Sequence, residues 1–394
     1  MQGSSQALGL LVAIIALCSA VLLGFGMSPR QEGVVNAASL SLILIIFIGA
    51  HSTVAALQVE PGFERAMSSA ALLGLVIIGG AILRNTFFGL PEADLGRATA
   101  LVRFFFLAAA VLAIAGFQPL TNSVERPVFP YTEPSHFALA FTPFLIQGAV
   151  QSRGWRRAMT IGIALLIAYA LKSLSLVVGV AIAAVISLQL WALAVGVVAV
   201  VTAVTFVDVT YFTDRLVFDP NNQNLSQLVW LQGWELLSSS LKMTSGWGIG
   251  FQNLGFAPVD SPTANQIYRL LNNDSNLKDG GFIAAKLVSE FGIFGIAGLA
   301  GLATMAVRAC LRLRAVAVSG MSAPDGMVLA WSFMAGALVE LFVRGIGYFS
   351  PTTLFYAAAV GYVVSSGKNS ASMSKENKPP HTLEPYRVRE LVSK

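Results

Sequence analysis

Long apolar runs punctuate this chain, and most have the length that crosses a bilayer as one helix. Spanning takes roughly 20 mostly apolar residues. By that rule eleven segments read as membrane helices, near 6–27, 37–58, 67–83, 98–117, 135–150, 158–171, 174–189, 190–207, 281–307, 327–343 and 352–366. The runs from 158 to 207 form one nearly continuous apolar stretch. Lipid offers a backbone amide no partner, so helices are the form such runs take. Two intervals break the pattern. Residues 208–280 form a long stretch between the eighth and ninth runs, and residues 367–394 form a polar tail containing Pro379 and Pro380. The tail is expected to be disordered and cytoplasmic.

Composition turns this pattern into a class. The chain is 55% hydrophobic and only 11% charged, against about 25% charged residues in an average soluble domain. Residues 1–366 are therefore read as a single polytopic transmembrane domain of an all-α integral membrane protein. Nothing in the composition suggests nucleic-acid binding. The two cysteines, Cys18 and Cys310, lie in or beside apolar runs and suggest no disulfide framework. No basic residue precedes the first run, so no cleavable leader is expected. No internal repeat is visible, which counts against a transporter built from two related halves.

Most of the 25 lysines and arginines alternate onto one side of the spans. That side takes Arg30, Arg84, Arg97, the clusters Arg153/Arg156/Arg157 and Arg308/Arg312/Arg314, and the basic tail. The positive-inside rule makes it the cytoplasm. The N-terminus and the interval 208–280 are then expected outside.

The long interval is rich in aromatic residues. Asn224 and Gln227 have the spacing of an N-cap and its partner. Trp230, Trp234, Leu237 and Leu241 recur on one face of the helix that follows. The run Gly246-Trp247-Gly248-Ile249-Gly250-Phe251 predicts a tight non-helical turn. Two readings stand side by side: a helix at the membrane surface with tryptophans at headgroup level, or a lid over a substrate groove with tryptophan stacked on sugar rings.

Candidate chemistry gathers on the outer side. Residues 125–136, ERPVFPYTEPSH, contain three prolines that stiffen the loop. Pro134 suits the first turn of a helix, and Glu133 would sit beside that helix's positive end. Glu133 is either a base or a simple helix cap, and His136 is either a packed histidine or a catalytic one. Glu340 and Arg344 are four residues apart, as are Lys286 and Glu290, so each pair is expected on one helix face. Charges within membrane helices are costly and point to function, although neutralising pairs have the same spacing. Arg126, Lys172, Lys242, Lys286 and Arg344 could converge on a phosphate or pyrophosphate. The glycine-rich run lacks a P-loop ending, and no zinc spacing or acidic metal cluster is present.

Several segments resemble Wzy-type O-antigen and capsular polysaccharide polymerases, within the O-antigen ligase/polymerase superfamily. RPVFPYTEPSHFALAFTPFL is similar to that family's EPS loop, and NLSQLVWLQGWELLSSSLKMTSGWGIGFQNLGF to its long periplasmic loop. KDGGFIAAKLVSEFGIFG is similar to the segment that re-enters the membrane, and RGIGYFSP to the last periplasmic loop. The similarity spans roughly residues 120–355. It implies about 11–12 transmembrane helices in a GT-C-like inner-membrane fold, with one long, partly helical periplasmic loop. It also implies a metal-independent glycosyltransferase without cofactor, acting on undecaprenyl-pyrophosphate-linked glycans within membrane lipid, with a chain-length regulator as a further partner. In that reading Glu133 is catalytic, and Arg126, Lys172, Lys242, Lys286 and Arg344 bind pyrophosphate. Tyr131, His136, Trp230, Trp234 and Tyr348 face the sugars. An O-antigen ligase, or a transporter or flippase of lipid-linked oligosaccharide, are the alternatives.

Overall fold

The computed structural model describes residues 10–11, 14–15, 31–59, 62–117, 127–206, 210–213, 224–272, 277 and 280–376. Within them the chain is helical and forms no extended strand; its one β-bridge joins Val128 and Tyr131. Apart from the single turn Thr210–Thr213, the α-helices are α1 (Gln31–Ala55), α2 (Phe63–Leu83), α3 (Glu92–Ile114), α4 (Pro134–Gln151), α5 (Trp155–Ala170), α6 (Leu174–Ser187), α7 (Leu190–Val204), α8 (Leu225–Met243), α9 (Pro262–Leu271), α10 (Ile283–Ser319), α11 (Asp325–Phe342) and α12 (Pro351–Glu376). Five are both long and apolar enough to cross a bilayer: α1, α2 with the π-helical turn Arg84–Phe88 that continues it, α3, α10 and α11. This makes the chain a multi-pass α-helical membrane protein. α6 and α7 are apolar but shorter. The first expected span falls almost wholly outside the described residues. α12 runs on to Glu376, past the expected end of the last span near 366, so the first part of the expected disordered tail is helical. The remainder of the tail lies outside the described residues.

The centre of the bundle is α4, buried along nearly its whole length and packed against α6 and α11. Lipid tails are as apolar as leucine, so membrane helices associate through close packing rather than hydrophobic expulsion. Small residues allow it here. A Cβ on Gly179 of α6 would fall 2.3 Å from the Thr142 hydroxyl, and one on Gly336 of α11 would fall 3.0 Å from Pro143. α12 joins α11 to α2, and α1 packs on α2. Leu10 and Ile14 are buried against Val76 and Leu354. α7, by contrast, is exposed along most of its length.

α10 is not continuous. At Gly292 the backbone turns to φ 56° and ψ −127°, separating a short half, 283–291, from a long one. The break frees backbone groups that the glycine-rich turn takes up. Ile249 N–H donates to Ser289 O at 3.0 Å, Gly250 N–H to Glu290 O at 2.9 Å, and Ile293 N–H to Gly246 O at 2.9 Å. Gly248, at φ 97°, lies so close that a Cβ on it would overlap the backbone of Gly292 and Glu290, and a Cβ on Gly292 would overlap that of Gly246 and Trp247. The turn after α8 is thus keyed into α10.

Candidate functional site at one end of the bundle

The start of α4, the end of α11 and the start of α10 meet at one end of the molecule. Glu133 is the N-cap residue of α4, with Pro134 in the first turn. Its side chain makes no capping hydrogen bond. Instead Oε2 accepts from Arg344 Nη2 at 3.2 Å and from Ser135 Oγ at 2.9 Å. Simple capping is therefore not what this carboxylate does. Its side chain is 37% exposed and that of Arg344 is 20% exposed, so the pair is open to a ligand. Burial pushes the Glu133 carboxyl up, but Arg344, His136 and the Ser135 hydroxyl outweigh it and hold the group below its usual range.

Arg344 reaches Glu133, and not Glu340, because α11 ends at Phe342. The four-residue spacing places two side chains on one face only while the helix continues. Beyond Phe342 the chain turns: Arg344 N–H bonds to Val339 O at 3.0 Å, and Gly345 N–H to Gly281 O at 2.9 Å. Glu340 accepts hydrogen bonds from Ser350 and Thr352 instead.

An aromatic face adjoins the ion pair. Trp230 Nε1 donates to Phe342 O at 3.0 Å, two residues before Arg344. Trp230 and Trp234 meet edge to face at 5.8 Å, and Trp234 packs on Phe282 at 5.1 Å. Asn224 caps α8 as its spacing predicts, accepting from Ser226 N–H. The tryptophan stripe is nonetheless the less buried side of this helix. Gln227, Leu228, Gly233, Leu236 and Ser240 form the buried side, and Trp234 is 39% exposed. Phe282 was not anticipated; it sits among apolar residues and gave no signal of its own.

The other expected site residues divide. His136 is half-buried and lies close enough to act on Glu133 electrostatically. Lys172 is on the same end, since Ser173 Oγ donates to Pro134 O at 3.4 Å, but its ammonium faces the Tyr211 ring at 5.3 Å. Tyr131 is not a sugar platform. Its ring stacks on Phe106 and meets Phe137 edge-on, and burial pushes its hydroxyl up to about 12. The turn that carries it closes on itself through paired hydrogen bonds between Val128 and Tyr131. Lys286 and Tyr348 are buried further in, with the ammonium 5.3 Å from the Tyr348 ring centre. Lys242 is exposed in the last turn of α8. Of the expected cations, Arg344 pairs with Glu133, whereas Lys172 faces the Tyr211 ring and Lys286 the Tyr348 ring. Arg126 lies outside the described residues.

The glycine-rich segment is an anchor and not a lid. Trp247 stacks on His51 of α1 at 5.2 Å and exchanges hydrogen bonds with it. Arg65 of α2 holds Gln252 O at 3.0 Å and Asn253 Oδ1 at 3.2 Å, with its guanidinium over Phe256. Beneath it, among α1, α2, α10, α11 and α12, lies a mostly apolar cavity of about 590 Å³, bordered by Phe251, Leu287, Phe291 and Leu341, with Glu340 its one carboxylate. Among the described residues no three His, Cys, Asp or Glu side chains gather to hold a metal ion.

Comparison with family models, with curated proteins and with solved structures returns no match.

Proposed function

We propose that the chain is a bacterial inner-membrane polysaccharide polymerase of the lipid-linked oligosaccharide type, acting on the periplasmic side. The observation that carries this reading is the partly exposed Glu133–Arg344 pair beside the Trp230–Trp234 face, at the membrane end opposite the arginine clusters. An acid, a bidentate-capable cation and sugar-stacking rings are the parts that glycosyl transfer from a pyrophosphate carrier requires.

In this mechanism the acceptor hydroxyl lies against Glu133, which takes its proton as the oxygen attacks the anomeric carbon of the donor. A positioned base of this kind contributes about 10²–10⁴-fold. The bond from the anomeric carbon to the pyrophosphate oxygen breaks, and the electron pair leaves with undecaprenyl pyrophosphate. Arg344 meets that developing charge, the kind of preorganised contact that usually dominates catalysis. The ground-state ion pair supplies a trigger. A carboxylate held by Arg344 is a weak base, and a pyrophosphate that draws Arg344 away leaves Glu133 more basic. Lys172, at the same end, and Arg126 are further candidates for phosphate contact. The GT-C-like arrangement with about 11–12 spans belongs to this proposal, as does a chain-length regulator as partner. An O-antigen ligase would use the same pair. The cavity of about 590 Å³ among the helices favours, as the second reading, a transporter or flippase of lipid-linked oligosaccharide.

The test is a gel of surface polysaccharide from a strain lacking the gene, before and after restoring it. The polymerase reading expects a ladder that collapses to core plus a single repeat unit and returns on complementation. Loss of the single-repeat band as well would point to the ligase or the flippase. An unchanged lipopolysaccharide ladder, with capsule and other exopolysaccharide also unchanged, contradicts the polymerase reading.

A further inference from the structure

Glu340 is a buried carboxylate close to this site in the chain, on the last turn of α11 and 7% exposed. Its Oε1 accepts from Thr352 Oγ1 at 2.9 Å and from Ser350 Oγ at 3.3 Å. The Ser350 hydroxyl also lies 2.7 Å from Thr352 Oγ1 and 2.9 Å from Thr353 Oγ1, and accepts from Thr353 N–H at 3.1 Å. A buried carboxylate is tolerated only when hydrogen-bonded, and here the donors, Ser350 and Thr352, come from the start of α12. One carboxylate thus ties the end of α11 to the beginning of α12, and residues 343–349 form the loop it closes.

Arg344 is on that loop. The loop's backbone ties include the bonds from Val343 and Arg344 to Val339 and from Gly345 to Gly281. Gly345 sits so close to α10 that a Cβ would fall 3.0 Å from Ile283 N. A loop fixed in this way has little freedom to carry its arginine elsewhere.

We infer that Glu340 is a positioning residue: by closing the 343–349 loop against Ser350 and Thr352, it holds Arg344 at the Glu133 carboxylate. Its hydrogen bonds go to the two hydroxyls and not to the arginine, so it acts through the loop. The acid needs to be a hydrogen-bond acceptor, and glutamine supplies one in the same place.

The test uses the purified full-length chain in lipid nanodiscs, with two readouts. Amide hydrogen exchange over 343–350 reports the loop directly. Affinity for undecaprenyl pyrophosphate reports Arg344, and this readout alone rests on the polymerase reading. Glu340→Ala, and Thr352→Val from the opposite side, should speed exchange over 343–350 while leaving α4 unchanged. Glu340→Gln should match the wild type. Affinity should fall about tenfold in Glu340→Ala, the scale of one lost charged hydrogen bond. In an Arg344→Ala background the same change should add nothing. Three results would overturn the assignment: a Gln variant as damaged as the Ala variant, unaltered exchange in both Glu340→Ala and Thr352→Val, or affinity losses that add to that of Arg344→Ala. A wild-type chain that does not bind undecaprenyl pyrophosphate would sink the polymerase reading, and the exchange data would still decide the positioning role.

Discussion

Arg157 and Arg314 at the arginine-rich end of the bundle are used in the opposite way to Arg344 at the other. At the arginine-rich end, Arg157 Nη1 donates to Ser187 O at 2.6 Å, while its Nε bonds Ala149 O and Ser152 O. Arg314 likewise donates to Leu188 O at 3.2 Å and to Val185 O. These are carbonyls at the ends of α4 and α6, groups a helix leaves unsatisfied and basic side chains commonly cover. Those arginines are consumed in holding helices together. At the other end Arg344 meets a carboxylate that is itself accessible. A carbonyl clamp has no second state to offer a ligand, whereas an accessible ion pair can exchange one partner for a phosphate. In the proposed function, the difference separates scaffold arginines from the one assigned to chemistry.

The largest effect is expected where the chemistry is assigned. Glu133→Gln should lower polymer formation by about a hundredfold or more at unchanged expression, read as the ladder on a polysaccharide gel. Near-normal ladders would place Glu133 with the scaffold arginines. Gly292→Ala breaks the comparison at its hinge, because the kink separates the half of α10 that serves one end from the half that serves the other. A Cβ there falls 2.1 Å from Gly246 O, and the loss of stability should exceed about 4 kcal/mol. The check is the yield of monodisperse protein after extraction from the membrane.

Arg157→Ala should cost about 1–3 kcal/mol by leaving helix-end carbonyls unpaired. Activity per folded molecule should be retained, as measured by thermal unfolding alongside turnover. The smallest effect is on pH. The Glu133 carboxyl is held below its usual value in the folded chain, so it contributes stability above the unfolded carboxylate pKa of about 4.3. That contribution fades as pH falls through the lower folded value. The melting difference between wild type and Glu133→Gln should not shrink between pH 7 and about pH 5, and should shrink below about pH 4. A difference that shrinks already between pH 7 and 6 would contradict the ion-pair account.

The sequence made much of this arrangement legible. Apolar run length anticipated α1, α2, α3, α10 and α11, the helices long and apolar enough to span, whereas α8 was announced by its cap residue and its periodicity. Glu133 stood out because Pro134 announces a helix start, and Arg344 because it follows an apolar run. Their pairing was hidden. Periodicity joined Arg344 to Glu340, and only the end of α11 at Phe342 redirects it. The kink at Gly292 was hidden too, because glycine is ordinary in membrane helices and its partner, Gly248, is far away in the chain. Tyr131 shows the converse limit: a polar ring in a promising loop is taken into an aromatic cluster by Phe106 and Phe137.

The most direct measurement is chain extension by the purified protein in nanodiscs supplied with a synthetic undecaprenyl-pyrophosphate-linked repeat unit. The account predicts a product ladder from the wild type, and single units only from Glu133→Gln and Arg344→Ala, while Arg157→Ala gives a full ladder for the protein that remains folded. Equal ladders from Glu133→Gln and the wild type would contradict it.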